Sequence, residues 1–284
     1  MTDVRDLGPR QCGDLGSIAA SLLAEGTSGQ VEATTSSAIF IRMHSDAYQP
    51  GIVALVGTDQ PRGPVTVRLP HWPLARTLLS AGERVRVVDG GLILDSNQRV
   101  TLPTKRWVAK PVRELRSNRM RVVQRLETIV DHEPAFSITV GRSGAALTGK
   151  DVTAAVRAGL PAAVSLLAGR GSGLTPAGDD VVTGIVLATS LLWSAGEPTW
   201  SPDHLRALAR GYSSHDISKA LVAAAANGQG CEFLHDLIDA CSAGDEPACL
   251  EARERLARWG ESSGLDAAYG VMVGLREAET VASD

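Results

Sequence analysis

The spacing of hydrophobic residues changes once along this chain, near Pro111. Before that point, short stretches that alternate between hydrophobic and polar residues are separated by turn signals such as Gln49-Pro50-Gly51. Short strands with no long helix between them predict a small antiparallel sheet or barrel. The predicted strands cover residues 38–42, 52–56, 65–69, 84–88, 91–94 and 106–108, and two helical stretches cover 15–24 and 74–81.

After Pro111 the hydrophobic residues recur with the period of an α-helix. A connecting helix is predicted at 112–130, followed by a strand or extended linker at 136–140 and a loop at 141–149. Further helices are predicted at 151–168, 177–195, 202–211, 214–227, 231–243, 246–259 and 264–278. The pattern therefore predicts an α+β protein, with an N-terminal antiparallel β-rich domain (1–110), a connecting segment (111–150) and a C-terminal α-helical bundle (151–284).

The strongest candidate for a functional site is the stretch 171–180, Gly-Ser-Gly-Leu-Thr-Pro-Ala-Gly-Asp-Asp, which runs directly into an apolar segment. Gly171 and Gly173 supply backbone that can adopt a positive φ or allow a ligand to approach closely. Thr175 followed by Pro176 is typical of a helix start, with the threonine hydroxyl as the N-cap. The stretch predicts a glycine-rich loop that leads into a helix.

Asp179 and Asp180 fall in the first turn of that helix, where the helix dipole favours negative charge. Residues 181–193 are apolar on nearly every side, so we expect other helices to enclose this one. A buried carboxylate requires a cation, a metal or several N–H donors nearby, which favours a functional role for both aspartates. The alternative is a structural helix opening, in which the acidic residues only complement the dipole.

A similar arrangement occurs at residues 259–270, Trp-Gly-Glu-Ser-Ser-Gly-Leu-Asp-Ala-Ala-Tyr-Gly. Ser262, Ser263 and Gly264 precede an apolar helix that carries Asp266 in its first turn. If the two loops meet in the bundle, they bring N–H groups, hydroxyls and three carboxylates to one cleft. The alternative is that Ser262 or Ser263 is only an N-cap.

Two cations are candidates for holding an anionic ligand at this cleft. Arg170 directly precedes the glycine-rich loop, and Lys219 ends the polar segment 213–219. The loop matches neither of the common glycine-rich nucleotide-binding motifs, and the motifs contain no metal triad or Ser-His-Asp order. Binding of an anion beside the aspartates therefore requires contact with an amide end of the ligand or a bridging Mg²⁺.

Composition limits the classes of protein to which this chain can belong. Its 284 residues are 44% hydrophobic, and its formal net charge of −4 comes from interspersed acidic and basic residues. This pattern predicts no nucleic-acid surface, and no apolar stretch in the sequence is long enough to span a bilayer. We expect a cytoplasmic protein that binds neither nucleic acid nor membrane, with its four cysteines reduced.

The two motifs together resemble the AllH-like family. The resemblance rests on Gly-x-Gly-Leu-Thr-Pro-x-x-Asp-Asp, a glycine four residues later, and Gly-x-Ser-Ser-Gly-x-Asp, and it covers residues 165–275. Serine stands at 172 where the family often has proline, and Ala-Gly at 177–178 where it often has serine with glycine or histidine. The positions carried over are Gly171, Gly173, Leu174, Thr175, Pro176, Asp179, Asp180, Gly184, Ser262, Ser263, Gly264 and Asp266.

The resemblance implies one subunit of an oxamate carbamoyltransferase that acts in allantoin and purine nitrogen catabolism. In that reaction, oxalurate and phosphate give oxamate and carbamoyl phosphate. The partners implied are a subunit similar to the succinyl-CoA synthetase α chain and a second subunit of the same enzyme. The ligand implied is a small anion such as oxalurate, phosphate or carbamoyl phosphate.

Two functions remain open from the sequence. In the first, the chain is an enzyme subunit, in which helix N-termini hold phosphate or carboxylate oxygens. Asp179, Asp180 or Asp266 then accepts N–H groups of the carbamoyl moiety or acts as a general base. In the second, the chain is a non-catalytic subunit whose motifs bind a small ligand or hold the bundle together while a partner performs the chemistry.

Overall fold

A computed structural model describes residues 13–46, 48–112, 114–131, 134, 147–196, 200–212 and 214–281. The chain forms two compact units, Met1–Val108 and Ala109–Asp284. The first unit is built on a β-sheet and the second on α-helices, which confirms the α+β class. Cys12, the predicted strand or linker at 136–140 and most of the predicted loop at 141–149 lie outside the described residues.

The N-terminal unit is a single sheet with two short helices, α1 (Ser17–Leu22) and α2 (Trp72–Leu78). Its strands are β1 (Asp14–Gly16), β2 (Ser28–Thr34), β3 (Ala38–Met43), β4 (Gly51–Gly57), β5 (Thr66–Leu69), β6 (Arg84–Val88), β7 (Gly91–Leu94), β8 (Arg99–Thr101) and β9 (Arg106–Trp107). The order across the sheet is β8-β7-β6-β2-β3-β4-β5-β1-β9.

The sheet is mixed, which corrects the prediction of an antiparallel one. β4 pairs with β5 in parallel, and β1 pairs with β9 in parallel. The other pairs of the described sheet are antiparallel. Side chains alternate between the two faces in both kinds of sheet, so the hydrophobic pattern locates a strand without giving its direction.

Three strands do not follow from the alternation of hydrophobic residues. β2 has the sequence Ser-Gly-Gln-Val-Glu-Ala-Thr, in which Val31 is the one large apolar side chain. β8 has three residues, too few for a period of two to be recognised. β1 occupies the beginning of the predicted helix at 15–24, so the helix itself is reduced to α1.

The second unit contains nine helices in its described residues. They are α3 (Leu115–Val130), α4 (Gly149–Arg157), α5 (Leu160–Leu167), α6 (Ala177–Ser194), α7 (Pro202–Gly211), α8 (Asp216–Ala225), α9 (Glu232–Ala243), α10 (Glu246–Ala257) and α11 (Ser263–Val281). The single helix predicted at 151–168 is two helices, because Gly159 has a φ of 111° and interrupts the helical backbone.

Helix α6 lies at the centre of the helical core, and every residue from Ala177 to Leu192 is buried. The prediction that other helices enclose it is therefore confirmed. Helix α11 packs directly against it through glycines. A Cβ atom at Gly184 would lie 2.0 Å from the backbone oxygen of Ala267, and one at Gly270 would lie 2.1 Å from that of Val181. The two backbones therefore touch, which holds the first turns of the two helices in register.

The structure also bears on membrane spans and on the cysteines. Within the described residues, no helix is both long and apolar enough to cross a membrane. Cys231, Cys241 and Cys249 are buried free thiols, as expected for reduced structural cysteines.

Candidate functional site

The loops before α6 and α11 meet, which fulfils the condition for a shared cleft. The hydroxyl oxygens of Thr175 and Ser263 lie 3.1 Å apart, within hydrogen-bonding distance, although the two residues are separated by 88 positions in the chain. Both side chains are half-buried, whereas Asp180 and Asp266 are buried. The site therefore has a layer of hydroxyl groups near the solvent and a layer of carboxyl groups beneath it.

Close backbone contacts shape the loop before α6. Gly171 has a φ of 114° and Gly173 a φ of 90°, in the left-handed region that favours glycine. A Cβ atom at Gly178 would lie 2.1 Å from the backbone oxygen of Leu167, so the first turn of α6 packs on the end of α5 without a side chain between them. The positive φ angles therefore favour glycine at 171 and 173, and the close contact with α5 requires it at 178, while Ser172 and Gly173 remain exposed.

The first turn of α6 differs from the prediction. Pro176 is the N-cap and Ala177 the first helical residue, so Thr175 does not cap the helix and its hydroxyl turns to Ser263 instead. The N–H group of Gly178 donates to the backbone oxygen of Arg170 at 2.8 Å, and that of Asp179 donates to Pro176 at 2.8 Å. These first N–H groups are therefore used within the protein, which removes them as donors to an anion.

The first turn of α11 contains a polar pair. Ser263 is the first helical residue, and the hydroxyl group of Ser262 donates a 2.6 Å hydrogen bond to Oδ2 of Asp266. A Cβ atom at Gly264 would lie 2.2 Å from the backbone oxygen of Leu256, so this glycine permits close packing on α10. The hydrogen bond between Ser262 and Asp266 therefore lies within the turn that places Ser263 beside Thr175.

Asp179 is a structural anchor. Its Oδ1 accepts hydrogen bonds from the N–H group of Gly169 at 2.7 Å and from the hydroxyl group of Tyr212 at 2.6 Å, and its Oδ2 accepts one from Ser214. Burial and the negative charge of Asp179 raise the pKa of Tyr212, which keeps that hydroxyl a donor. Three donors from two segments satisfy this carboxylate, so it ties the start of α6 to the chain that follows α7.

The sequence motifs do not include Tyr212 or Gly169. Tyr212 follows the last residue of α7, and it is buried against α6. The one signal for this cluster in the sequence was the polar segment 213–219, which contains Ser214. Ser214 supplies that segment's contact with Asp179.

Asp180 has a different environment although it is the next residue. Its side chain is 4% exposed, and among the described residues its Oδ2 atom is buried without a hydrogen-bond partner. Burial raises its pKa well above the usual range for aspartate; the hydroxyl groups of Ser263 and Thr175 oppose the shift, and the charges of Asp266 and Asp179 add to it. The folded protein therefore keeps Asp180 protonated to a higher pH than an exposed aspartate would be.

The two candidate cations point to other partners. The Nε–H group of Arg170 donates a 2.6 Å hydrogen bond to the backbone oxygen of Leu166, back along α5. The ammonium group of Lys219 pairs with Asp216 of its own helix at 3.1 Å. The backbone oxygen of Arg170 accepts a hydrogen bond from Gly178, which keeps Arg170 next to the glycine-rich loop. Among the described residues, Lys219 makes no backbone hydrogen bond to that loop.

The arrangement of the acidic side chains does not fit a metal ion. In the described part of the chain, no group of three or more histidine, cysteine, aspartate or glutamate side chains is placed to hold one. The oxygens of Asp179 are taken by Gly169, Tyr212 and Ser214, which leaves that carboxylate unsuited to Mg²⁺.

Replacing Asp180 with asparagine is expected to stabilise the protein increasingly as the pH rises. The folded protein keeps the Asp180 proton to a higher pH than the unfolded chain, so the wild-type free energy of unfolding falls between about pH 4 and the raised pKa. Asparagine has a similar shape and no proton to lose. The melting temperature of Asp180→Asn minus that of the wild type should be larger at about pH 8 than at about pH 5.

Asp203→Asn is the control for this measurement. Asp203 is exposed, and its hydrogen bond from Arg206 lowers its pKa, so this variant should gain no stability as the pH rises. A difference in melting temperature between Asp180→Asn and the wild type that does not change with pH would show that Asp180 is ionised in the folded protein.

Comparison with known protein families gives one match. Residues 167–275 match the model of the family described as oxamate carbamoyltransferase subunit AllH. The matched segment begins at the last residue of α5 and ends within α11, so it contains both loops and both aspartates of α6. The resemblance inferred from the two motifs is confirmed for this segment. No solved structure matches the chain at a significant level.

Proposed function

We propose that this chain is a subunit of a carbamoyltransferase that converts oxalurate and phosphate into oxamate and carbamoyl phosphate. The observation that carries the proposal is that the family match covers the two loops whose hydroxyl groups meet at Thr175 and Ser263. In this proposal, a small anionic amide binds at the junction of these loops. The hydroxyl groups exchange hydrogen bonds with its polar atoms, and Arg170 is the nearest cation in sequence for its carboxylate or phosphate.

The acidic residues take different roles in this proposal. Asp179 positions the loop through Gly169, Tyr212 and Ser214 and does not contact the ligand. Asp180 contributes a carboxyl group that is largely uncharged, so it repels an anion less than a carboxylate would. The electrostatic objection to an anion beside three aspartates is therefore reduced without a bridging metal ion.

A non-catalytic role is the second candidate, and the structure offers one observation in its favour. Several motif residues serve packing: Gly178, Gly184 and Gly264 allow backbones to touch, and Asp179 is fully hydrogen-bonded within the protein. A subunit that only binds a ligand, or only presents a surface to a catalytic partner, needs the same rigid bundle. Turnover separates the two candidates.

Turnover by the reconstituted enzyme is the direct test. The chain is combined with candidate partner subunits, including a succinyl-CoA synthetase α-like chain, and carbamoyl phosphate formation from oxalurate and phosphate is measured. We expect Ser263→Ala and Thr175→Val to lower turnover by about tenfold or more, because each loses a hydrogen bond at a half-buried site. Ser172→Ala, in the exposed part of the same loop, is the control and should have wild-type activity. Wild-type turnover by all four proteins would favour the scaffolding role.

Ligand binding by the chain can be measured separately from turnover. Calorimetric titration with phosphate, carbamoyl phosphate and oxalurate should give binding that does not depend on Mg²⁺. Arg170→Ala should weaken it by about tenfold, the expected effect of losing one charged hydrogen bond. Arg121→Ala, which removes an exposed guanidinium from α3, should bind as the wild type does. If none of the ligands gives heat, with or without Mg²⁺ and with partner subunits present, binding at this site is refuted.

A further inference from the structure

Asp180 holds a buried oxygen that no described residue satisfies. The residue is 4% exposed, and its Oδ2 atom has no hydrogen-bond partner in the part of the chain that the structure describes. An unsatisfied buried oxygen is costly, and buried polar groups of this kind are uncommon in folded proteins. The hydroxyl groups of Ser263 and Thr175 act on the same carboxyl group and lie nearer the solvent. The carboxyl group therefore belongs to the junction of the two loops, where the proposed ligand binds.

The charged groups around Asp180 are the same in sign. Asp179 lies beside it on α6 and Asp266 faces it from α11, and both charges disfavour ionisation of Asp180. Burial and the negative charge of Asp179 keep the hydroxyl group of Tyr212, at the end of α7, neutral, and it donates to Asp179. A carboxyl group in this setting is most stable as a neutral acid, with one O–H donor and one carbonyl acceptor.

We infer that Asp180 pairs as a neutral acid with the primary carbamoyl group of the ligand, –CO–NH₂, through two hydrogen bonds. The acid O–H donates to the carbamoyl oxygen, and the acid carbonyl accepts from the carbamoyl N–H. This inference rests on the proposed function, since oxalurate and carbamoyl phosphate end in the carbamoyl group that is transferred. Oxamate ends in a primary amide of its own, which offers the same donor and acceptor and serves as a probe for the pairing. The inference assigns Asp180 to substrate recognition.

The pairing explains how an acidic site distinguishes an amide from a carboxylate. A carboxylate in place of the amide has no N–H to donate, and it brings a negative charge towards Asp179 and Asp266. The carbonyl oxygen of the neutral Asp180 would then face a carboxylate oxygen of the ligand, and neither atom can donate a hydrogen bond. Oxamate and oxalate differ only in this way, because one carries an amide where the other carries a carboxylate, and they form a matched pair of probes.

The test compares two replacements of Asp180 that differ only in hydrogen bonding. Asp180→Asn keeps one donor and one acceptor at the same positions, and Asp180→Leu keeps the approximate size and has neither. Binding of oxamate and oxalate is measured by calorimetry over a range of pH, with partner subunits present if turnover requires them. We expect the wild type to prefer oxamate by at least about tenfold and to lose that preference as the pH rises through the pKa of Asp180.

The variants should separate recognition from folding. The affinity of Asp180→Asn for oxamate should be within about tenfold of that of the wild type, and it should not change with pH, because asparagine does not titrate. The affinity of Asp180→Leu for oxamate should be at least about tenfold weaker than that of the wild type. Infrared spectroscopy adds a signal that does not depend on activity. The carbonyl stretch of a protonated carboxyl group should be present in the wild type, absent from Asp180→Asn and shifted by oxamate.

The outcomes distinguish this inference from the proposed function. If the enzyme turns over but oxalate binds as tightly as oxamate, or oxamate binds without shifting the carboxyl band, the pairing is wrong and the proposed function stands. If Asp180→Asn loses oxamate binding as completely as Asp180→Leu, Asp180 acts as a charged acceptor instead. If neither turnover nor binding is found with any probe, the proposed function fails and the inference fails with it.

Discussion

Val186→Asp is expected to destabilise the helical unit severely. Val186 is fully buried in α6, the helix whose residues from Ala177 to Leu192 are all enclosed. A carboxyl group there must either lose its charge or remain unpaired in an apolar core, and either costs about 4 kcal/mol or more. Because single-domain proteins are stable by about 5–15 kcal/mol, this one change removes a large part of the stability. Circular dichroism and the melting temperature measure the loss.

The matched control for this variant places the same side chain on the surface. Ala154 is exposed on α4, and an aspartate there would sit four residues after Lys150, close enough for a favourable contact. Ala154→Asp should change the free energy of unfolding by less than about 0.5 kcal/mol. Equal melting temperatures for Val186→Asp and Ala154→Asp would mean that α6 is not enclosed.

Gly184→Ala should destabilise the protein by about 3 kcal/mol or more, although alanine is the better helix former. The added Cβ would lie 2.0 Å from the backbone oxygen of Ala267 and 2.7 Å from the backbone nitrogen of Val271. Both contacts are with backbone, which cannot rotate away, so α6 and α11 must separate. We expect the melting temperature to fall by roughly 10 °C and ligand binding to weaken, because the same crossing holds Thr175 beside Ser263.

Gly211→Ala is the control for the glycine prediction. Gly211 is the last residue of α7, and a Cβ atom there would meet no atom within 4 Å. Replacing it should be neutral or stabilise the protein by up to about 1 kcal/mol through helix propensity. Should Gly184→Ala be as stable as Gly211→Ala, the direct contact of α6 with α11 would be refuted.

Local patterns in the sequence were sufficient for the class of fold and for most of its elements. The period of hydrophobic residues distinguishes strands from helices because side chains repeat every two residues in a strand and every 3.6 in a helix. The same local reasoning identified the two loops as equivalent helix openings. It wrongly assigned Thr175 as the N-cap. The sequence Thr-Pro is compatible both with a hydroxyl that caps the helix and with one that contacts another loop.

The direction of strands and the meeting of the loops depended on contacts between distant residues. Side chains alternate between the two faces in parallel and in antiparallel strands, so the sequences of β4 and β5 do not indicate that these strands pair in parallel. Thr175 and Ser263 meet because α6 and α11 cross at glycines, a contact that becomes visible only when both backbones are placed.

The clearest division lies between Asp179 and Asp180. The sequence determined that two adjacent carboxyl groups begin a buried helix, and it offered both as catalytic candidates on equal terms. Only the tertiary structure separated them. It gives Asp179 donors from Gly169, Tyr212 and Ser214, whereas one oxygen of Asp180 has no partner among the residues that the structure describes. The charge on a carboxyl group depends on burial and on the donors and charges around it in space. For this pair, several of those neighbours come from segments far away in the chain, namely Tyr212, Ser214, Ser263 and Asp266.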